Sequence, residues 1–191
     1  MEIGSGAGFI KEILPNVLTS DIIKLPTCDT VIDCTNIPFE DNYFDSILMV
    51  DVLHHISNVE LFFLEAQRKL KPGGSIVMSE PWNCAWSRFI YKNFHHEPFD
   101  VNADWSIPEN GPLSGANGAL PWIVFERDIE LFHTKFPKLK LKKLSTILQP
   151  DICLAVECHT NNLPRIFYFL HCQLSTISLP PNTSTCLHIL P

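Results

Sequence analysis

Residues 2–8 read EIGSGAG, which sets Gly4, Gly6 and Gly8 at every second position behind an acidic residue, Glu2. Small residues at that spacing let main-chain N–H groups and the start of the next helix come close to a ligand. Asp21 lies nineteen residues beyond Glu2, at the end of the apolar run VLTSD (17–21). A carboxylate at that distance is where a ribose-binding sheet places its acceptor for the two sugar hydroxyls. Asp33 falls in the next run, TVIDC (30–34), and is expected at the same sheet edge. Either aspartate alone is explained by strand ends and helix caps. Together with the glycine turn they point to a binding site.

Working outward, SILMV (46–50) and SIVMSE (75–80) are again short, apolar and partly β-branched. Such runs suit strands buried on both faces of a parallel sheet. Between them lies SNVELFFLEAQRKLKPGG, where Ser57 and Glu60 have capping-box spacing and Val59, Phe62, Phe63, Ala66 and Leu70 form one face. Pro72-Gly73-Gly74 ends that helix. The βαβαβ order predicts a doubly wound, mostly parallel α/β sheet with right-handed crossovers. Residues 81–122 hold all four tryptophans and many prolines and glycines, and read as an insertion over the C-terminal sheet edge. Aromatic covers of this kind wall ligand pockets. ERDIELFHTKF (126–136) is a further amphipathic helix, and KLKLKK (138–143) a half-buried strand with a lysine face.

The chain has 191 residues, 46% of them hydrophobic and 18% charged, which fits one globular domain with its own core. A net charge of −7 argues against a general nucleic-acid binder. No signal peptide and no apolar run long enough for a membrane span is legible. Seven cysteines without C-x-x-C spacing suit a reducing, cytoplasmic setting. Cys153, Cys158 and His159 lack a second ligand pair, so no metal site is expected. Residues 150–191 carry three charged residues and no glycine. They are expected to be an atypical tail foreign to the fold, for example the product of a frameshift, beside a domain at 1–149. Only three residues precede the glycine turn, so most of the first strand and the native C-terminal strands are expected to be wanting.

EIGSGAG, TSD, DCTNIPFEDNYFDSILMVDVLHHI and LKPGGSIVMSEPW, in that order over residues 2–82, resemble class I S-adenosylmethionine-dependent methyltransferases of the type 11 group. A dinucleotide dehydrogenase would carry G-x-G-x-x-G and lack the IPFEDNYFD stretch. The resemblance implies a Rossmann-like fold and S-adenosylmethionine as cofactor. It implies that Glu2, Gly4, Ser5, Gly6 and Gly8 loop around the methionine part, and that Asp21 accepts from the ribose, with Ile22 beside the adenine. Asp33 would take the adenine amino group, the Cys34 N–H would face a ring nitrogen, and Val50 and Asp51 would lie along the methionine.

Methyl transfer from a sulfonium needs alignment and exclusion of water, and a base only if the acceptor must lose a proton. Glu80, directly after a strand, and His55 are the expected catalytic residues, from a wider set with His54 and Glu97. Trp82, His95 and His96 are expected against the substrate. The acceptor is expected to be a small molecule, linked to a lipid, quinone or sugar, with no nucleic acid and no membrane span. No base-flipping motif follows the fourth strand, where VDVLHH stands. The alternative is a truncated, non-catalytic remnant or interaction module of the same fold.

Overall fold

The computed structural model describes residues 1–107 and 115–147, with side chains up to residue 142, and the backbone of strands 153–154, 168–169 and 172–178. The strands in chain order are β1 (Glu2–Ile3), β2 (Thr19–Asp21), β3 (Thr30–Val31), β4 (Phe44–Val50), β5 (Leu70–Pro81), β6 (Lys140–Ile147), β7 (Cys153–Leu154), β8 (Tyr168–Phe169) and β9 (Cys172–Ser178). Seven of them form one sheet in the order β3-β2-β1-β4-β5-β9-β6, while β7 and β8 pair separately. The pairs from β3 through β5 are parallel. β9 runs antiparallel between β5 and β6. It takes the position that the sequence reading left without a strand. Cys158 and His159 lie outside the described residues.

β1 is as short as the sequence implies, yet it sits at the sheet centre between β2 and β4. Its neighbours extend its bonding beyond two residues. The Glu2 amide donates to Leu18 O at 2.8 Å, Leu48 N donates to Met1 O at 2.8 Å, and the Met1 ammonium donates to Ser46 O at 2.9 Å. Serines complete the join: Ser20 Oγ donates to Glu2 O at 2.8 Å, and Ser20 N donates to Ser5 Oγ at 3.1 Å. Asp29 clasps the start of β2, accepting from Thr19 N at 2.9 Å and Thr19 Oγ1 at 3.0 Å, with Lys11 Nζ 2.5 Å from its other oxygen.

The helices are α1 (Ile10–Ile13), α2 (Val59–Lys69), α3 (Ala85–Asn93), α4 (Leu120–Trp122) and α5 (Ile129–Lys135), with a wider helical stretch, Ile123–Arg127, between the last two. The cap of α2 is Asn58, whose side chain accepts from Leu61 N at 3.0 Å; the capping-box spacing pointed one residue earlier, to Ser57. α2 buries Val59, Phe62, Phe63 and Ala66 completely. Phe63 packs on Phe125, Phe132 and Phe136 with ring centroids 5.9, 5.3 and 5.4 Å away, so the helices after the insertion share one apolar layer with α2. Glu65 reaches from α2 to accept the Ile37 amide at 3.0 Å, which ties the loop after β3 to the helix. No helix among the described residues is long and apolar enough to cross a membrane.

Two outcomes follow from this packing. Phe63→Ala leaves a cavity at the join of both helical layers and should cost about 3–5 kcal/mol in urea unfolding. Asp29 is held at about 2, chiefly by the Lys11 hydrogen bond and then by Thr19. A carboxylate lowered on folding stabilises fully above its unfolded value, near 3.9, and that contribution is lost as pH falls through the folded value. Asp29→Asn should therefore lower the urea midpoint at pH 6, and the difference from wild type should close as pH falls toward 2.

Candidate functional site

The ends of β1, β2 and β4 open onto a cavity of about 500 Å³ lined by Gly4, Asp21, Ile22, Asp33, Cys34, Asp51 and His55 among others. These seven were all expected at the site. Each reaches it for a local reason. Gly4 turns the chain at φ +67°, and a Cβ there would stand 2.4 Å from Val52 Cγ2, so only glycine passes under that wall. Asp21 is buried at the end of β2, accepting from Gly6 N at 3.1 Å and Ile23 N at 3.2 Å. Asp33 folds its own loop by accepting from Thr35 N at 2.8 Å with one oxygen. Burial pushes the Cys34 thiol up to about 12, so it is a neutral wall group.

The remaining expected cofactor residues fall elsewhere. Ser5 and Gly6 do not line the cavity, since Ser5 Oγ serves β2 and Gly6 is tied to Asp21 and Thr27. Gly8, at φ +75°, gives clearance to Thr27, whose carbonyl oxygen would lie 3.0 Å from a Cβ. Val50 is half exposed and off the cavity wall, because strand alternation sends Met49 inward and Val50 away. Glu2 is buried behind the wall, and one of its oxygens, Oε2, has no hydrogen-bond partner in the protein.

Glu80 stands off the cavity wall. It is fully buried, its Oε1 accepts from Val52 N at 2.9 Å and Leu53 N at 2.7 Å, and its Oε2 meets His54 Nδ1 at 2.8 Å. With both oxygens engaged it fixes the turn after β4 and does not face the cavity. Trp82 joins the hydrophobic core and His96 is exposed, so neither walls the cavity. His95 packs against Tyr91 at a tilt, with ring centroids 4.4 Å apart, also off the wall.

What sequence reasoning underrated is the group around Glu97. His54 Nε2 lies 3.6 Å from Glu97 Oε2, and His55 Nε2 lies 3.5 Å from Glu97 Oε1. Nδ1 of His55 donates to Gly115 O at 3.4 Å. Burial opposes a charge on His54, but Glu80 and Glu97 outweigh it and raise the imidazole to about 10. Glu97 is drawn down to about 2 against its own burial, by His54 first. Burial, followed by the Glu80 charge, lifts Asp51 to about 6. Burial and the neighbouring His54 hold His55 below its ordinary value. Asp51 sits at φ +54°, and its Oδ1 is a second buried oxygen without a partner. Ile56 before α2, Leu61 within it, and Ile107 and Gly115 of the 81–122 stretch add to the lining.

The family model described as methyltransferase domain matches residues 1–78. Over residues 1–78 the chain is thus similar to methyltransferase domains. Over 45 residues, 24% of its length, it is 49% identical to the demethylmenaquinone methyltransferase of Tropheryma whipplei. The chain as a whole is 29% identical over 118 residues, 55% of its length, to the probable tRNA methyltransferase 9B of Bos taurus. The chain spans 19% of the length of the first relative and 25% of the second. A solved S-adenosylmethionine-dependent methyltransferase from Thermotoga maritima has the same fold, with TM-score 0.58 and 18% identity over 93% of this chain and 80% of that one. That likeness in fold extends beyond residues 1–78.

The donor set of this site fits S-adenosylmethionine. Two buried carboxylate oxygens, on Glu2 and Asp51, want donors, and a methionine ammonium offers three N–H groups. Gly4→Ala should weaken S-adenosylmethionine binding at least about tenfold by calorimetry, through left-handed strain of about 1–2 kcal/mol and the Val52 contact. Adding Val52→Ala should recover part of that loss.

Proposed function

We propose that this chain transfers the methyl group of S-adenosylmethionine to a small-molecule acceptor held at the His55 end of the cavity. The observation that carries this reading is the single cavity wall shared by Asp21, Asp33, Asp51 and His55. That wall would join sugar, base, ammonium and acceptor contacts in one space. The cofactor, when bound, supplies an activated methyl on a sulfonium whose departure needs no acid. Asp21 would accept from the ribose hydroxyls, and Ile22 and Ile32 would flank the adenine. The free oxygen of Asp33 and the Cys34 N–H would read the adenine edge. Asp51 would meet the ammonium, with Glu2 behind it. Ile56, Leu61 and Ile107 give the acceptor side an apolar lining.

His55 is the polar side chain we assign to the acceptor, and Glu80 supports it by fixing the turn. An apolar cover favours a hydrophobic or aromatic acceptor of the lipid- or quinone-linked class over a sugar. The likeness to a demethylmenaquinone methyltransferase supports the same class. A relative named for tRNA argues the other way, and the net charge of −7 weighs against a nucleic-acid acceptor. Unpaired thiols at Cys28, Cys34 and Cys84 support a reducing, cytoplasmic setting.

Calorimetric titration of the chain with S-adenosylmethionine should give one saturable site, lost in Asp21→Ala. Transfer of labelled methyl to a demethylated quinol should follow, and His55→Ala should cut its rate more than it changes cofactor binding. A folded chain that binds no cofactor would sink this reading.

A further inference from the structure

Four groups converge beside the cavity: His54 and His55 from the turn after β4, Glu80 from the end of β5, and Glu97 from the insertion. A carboxylate and a carbonyl oxygen can only accept, so both imidazoles donate from Nδ1, His54 to Glu80 and His55 to Gly115. Their Nε2 atoms therefore both point toward the same carboxylate of Glu97. A histidine whose Nδ1–H is held by a carboxylate or carbonyl while Nε2 faces a shared point is the arrangement found around bound metals.

Distance separates the two ways of satisfying this cluster. A charged N–H···O bond closes to about 2.7–2.9 Å. Here the Nε2-to-carboxylate separations are 3.6 Å and 3.5 Å. Two ligands at 2.0–2.1 Å from one tetrahedral ion stand about 3.3 Å apart. The candidate ligand atoms of His54, His55 and Glu97 all lie within 4.8 Å of one another. Two histidines and one glutamate form a known three-ligand set for zinc that leaves a fourth position for water or substrate.

We propose that His54, His55 and Glu97 bind a divalent cation of the zinc type at the acceptor end of the cavity, the cation taking the place of the proton on His54 Nε2. Glu80 orients His54, and Gly115 orients His55. His95 does not complete the set, because its Nδ1 accepts the Glu97 amide at 3.2 Å. The role of the cation rests on the methyl-transfer reading above: the open position suits a hydroxyl oxygen, so the acceptor is an alcohol, enol or phenol. There the hydroxyl proton leaves to water and an oxygen lone pair forms the new bond to the methyl carbon. The carbon–sulfur bond breaks with its electron pair staying on sulfur.

The test titrates tag-free, chelator-treated, reduced chain with zinc alone by calorimetry. One equivalent should bind, and His55→Ala and Glu97→Gln should each weaken it by roughly a hundredfold. The supporting Glu80→Gln change is expected to weaken it less, about tenfold. His133→Ala, on the exposed side of α5, should bind as wild type does. Zinc should also raise the melting temperature of wild type but not of Glu97→Gln, which keeps the side-chain size should His55→Ala fail to fold. Absence of binding overturns the proposal. Equal binding by wild type, His55→Ala and Glu97→Gln also overturns it, by assigning the zinc to the seven cysteines. Wild type that binds S-adenosylmethionine but no zinc fails this inference alone and leaves the methyl-transfer reading standing.

Discussion

The buried carboxylate of Glu80 accepts two consecutive main-chain amides, Val52 and Leu53, and the ring of His54. Those three donors come from one turn, so the end of β5 dictates how the chain leaves β4. Asp51 takes a left-handed backbone there and turns its side chain to the cavity. Val52 is pressed over Gly4, which ties the turn to the glycine loop after β1. His55 follows on the cavity wall. Removing this carboxylate would leave buried amides unmatched, each at about 1–3 kcal/mol.

The same logic organises the other side of the sheet centre. β1 contributes two residues to the ladders, and serine side chains and the flanking main chain supply the rest of the join. Residues expected to touch a ligand, Ser5 and Gly6, are spent on holding β2 and Asp21 in register. The cavity is thus formed by fewer groups than the motif suggests, and these are held by a supporting layer of hydrogen bonds.

Much of the fold was legible because hydrophobic period and turn chemistry are local. The runs ending in Asp21, Val50 and Glu80 became strands, and the Phe62–Phe63 helix became α2. Its cap moved from Ser57 to Asn58, a one-residue choice that the S-x-x-E spacing does not resolve. Val50 stands off the cavity wall for a geometric reason: side chains alternate along a strand, and only the sheet reveals which face meets the cavity. Trp82 read as a pocket wall because aromatic residues cluster in the insertion, but its ring went to the core.

By itself the sequence determined the glycine turn, the aspartates after the second and third strands, and the parallel α/β order, since each depends on neighbours within a few residues. Glu80, His54, His55 and Glu97 lie in three separated segments, and nothing local tells a carboxylate that faces solvent from one that accepts buried amides. Only the tertiary structure decided that Glu80 belongs to the turn and that Glu97 faces two histidines. Burial and the direction of each donor are properties of the packed molecule.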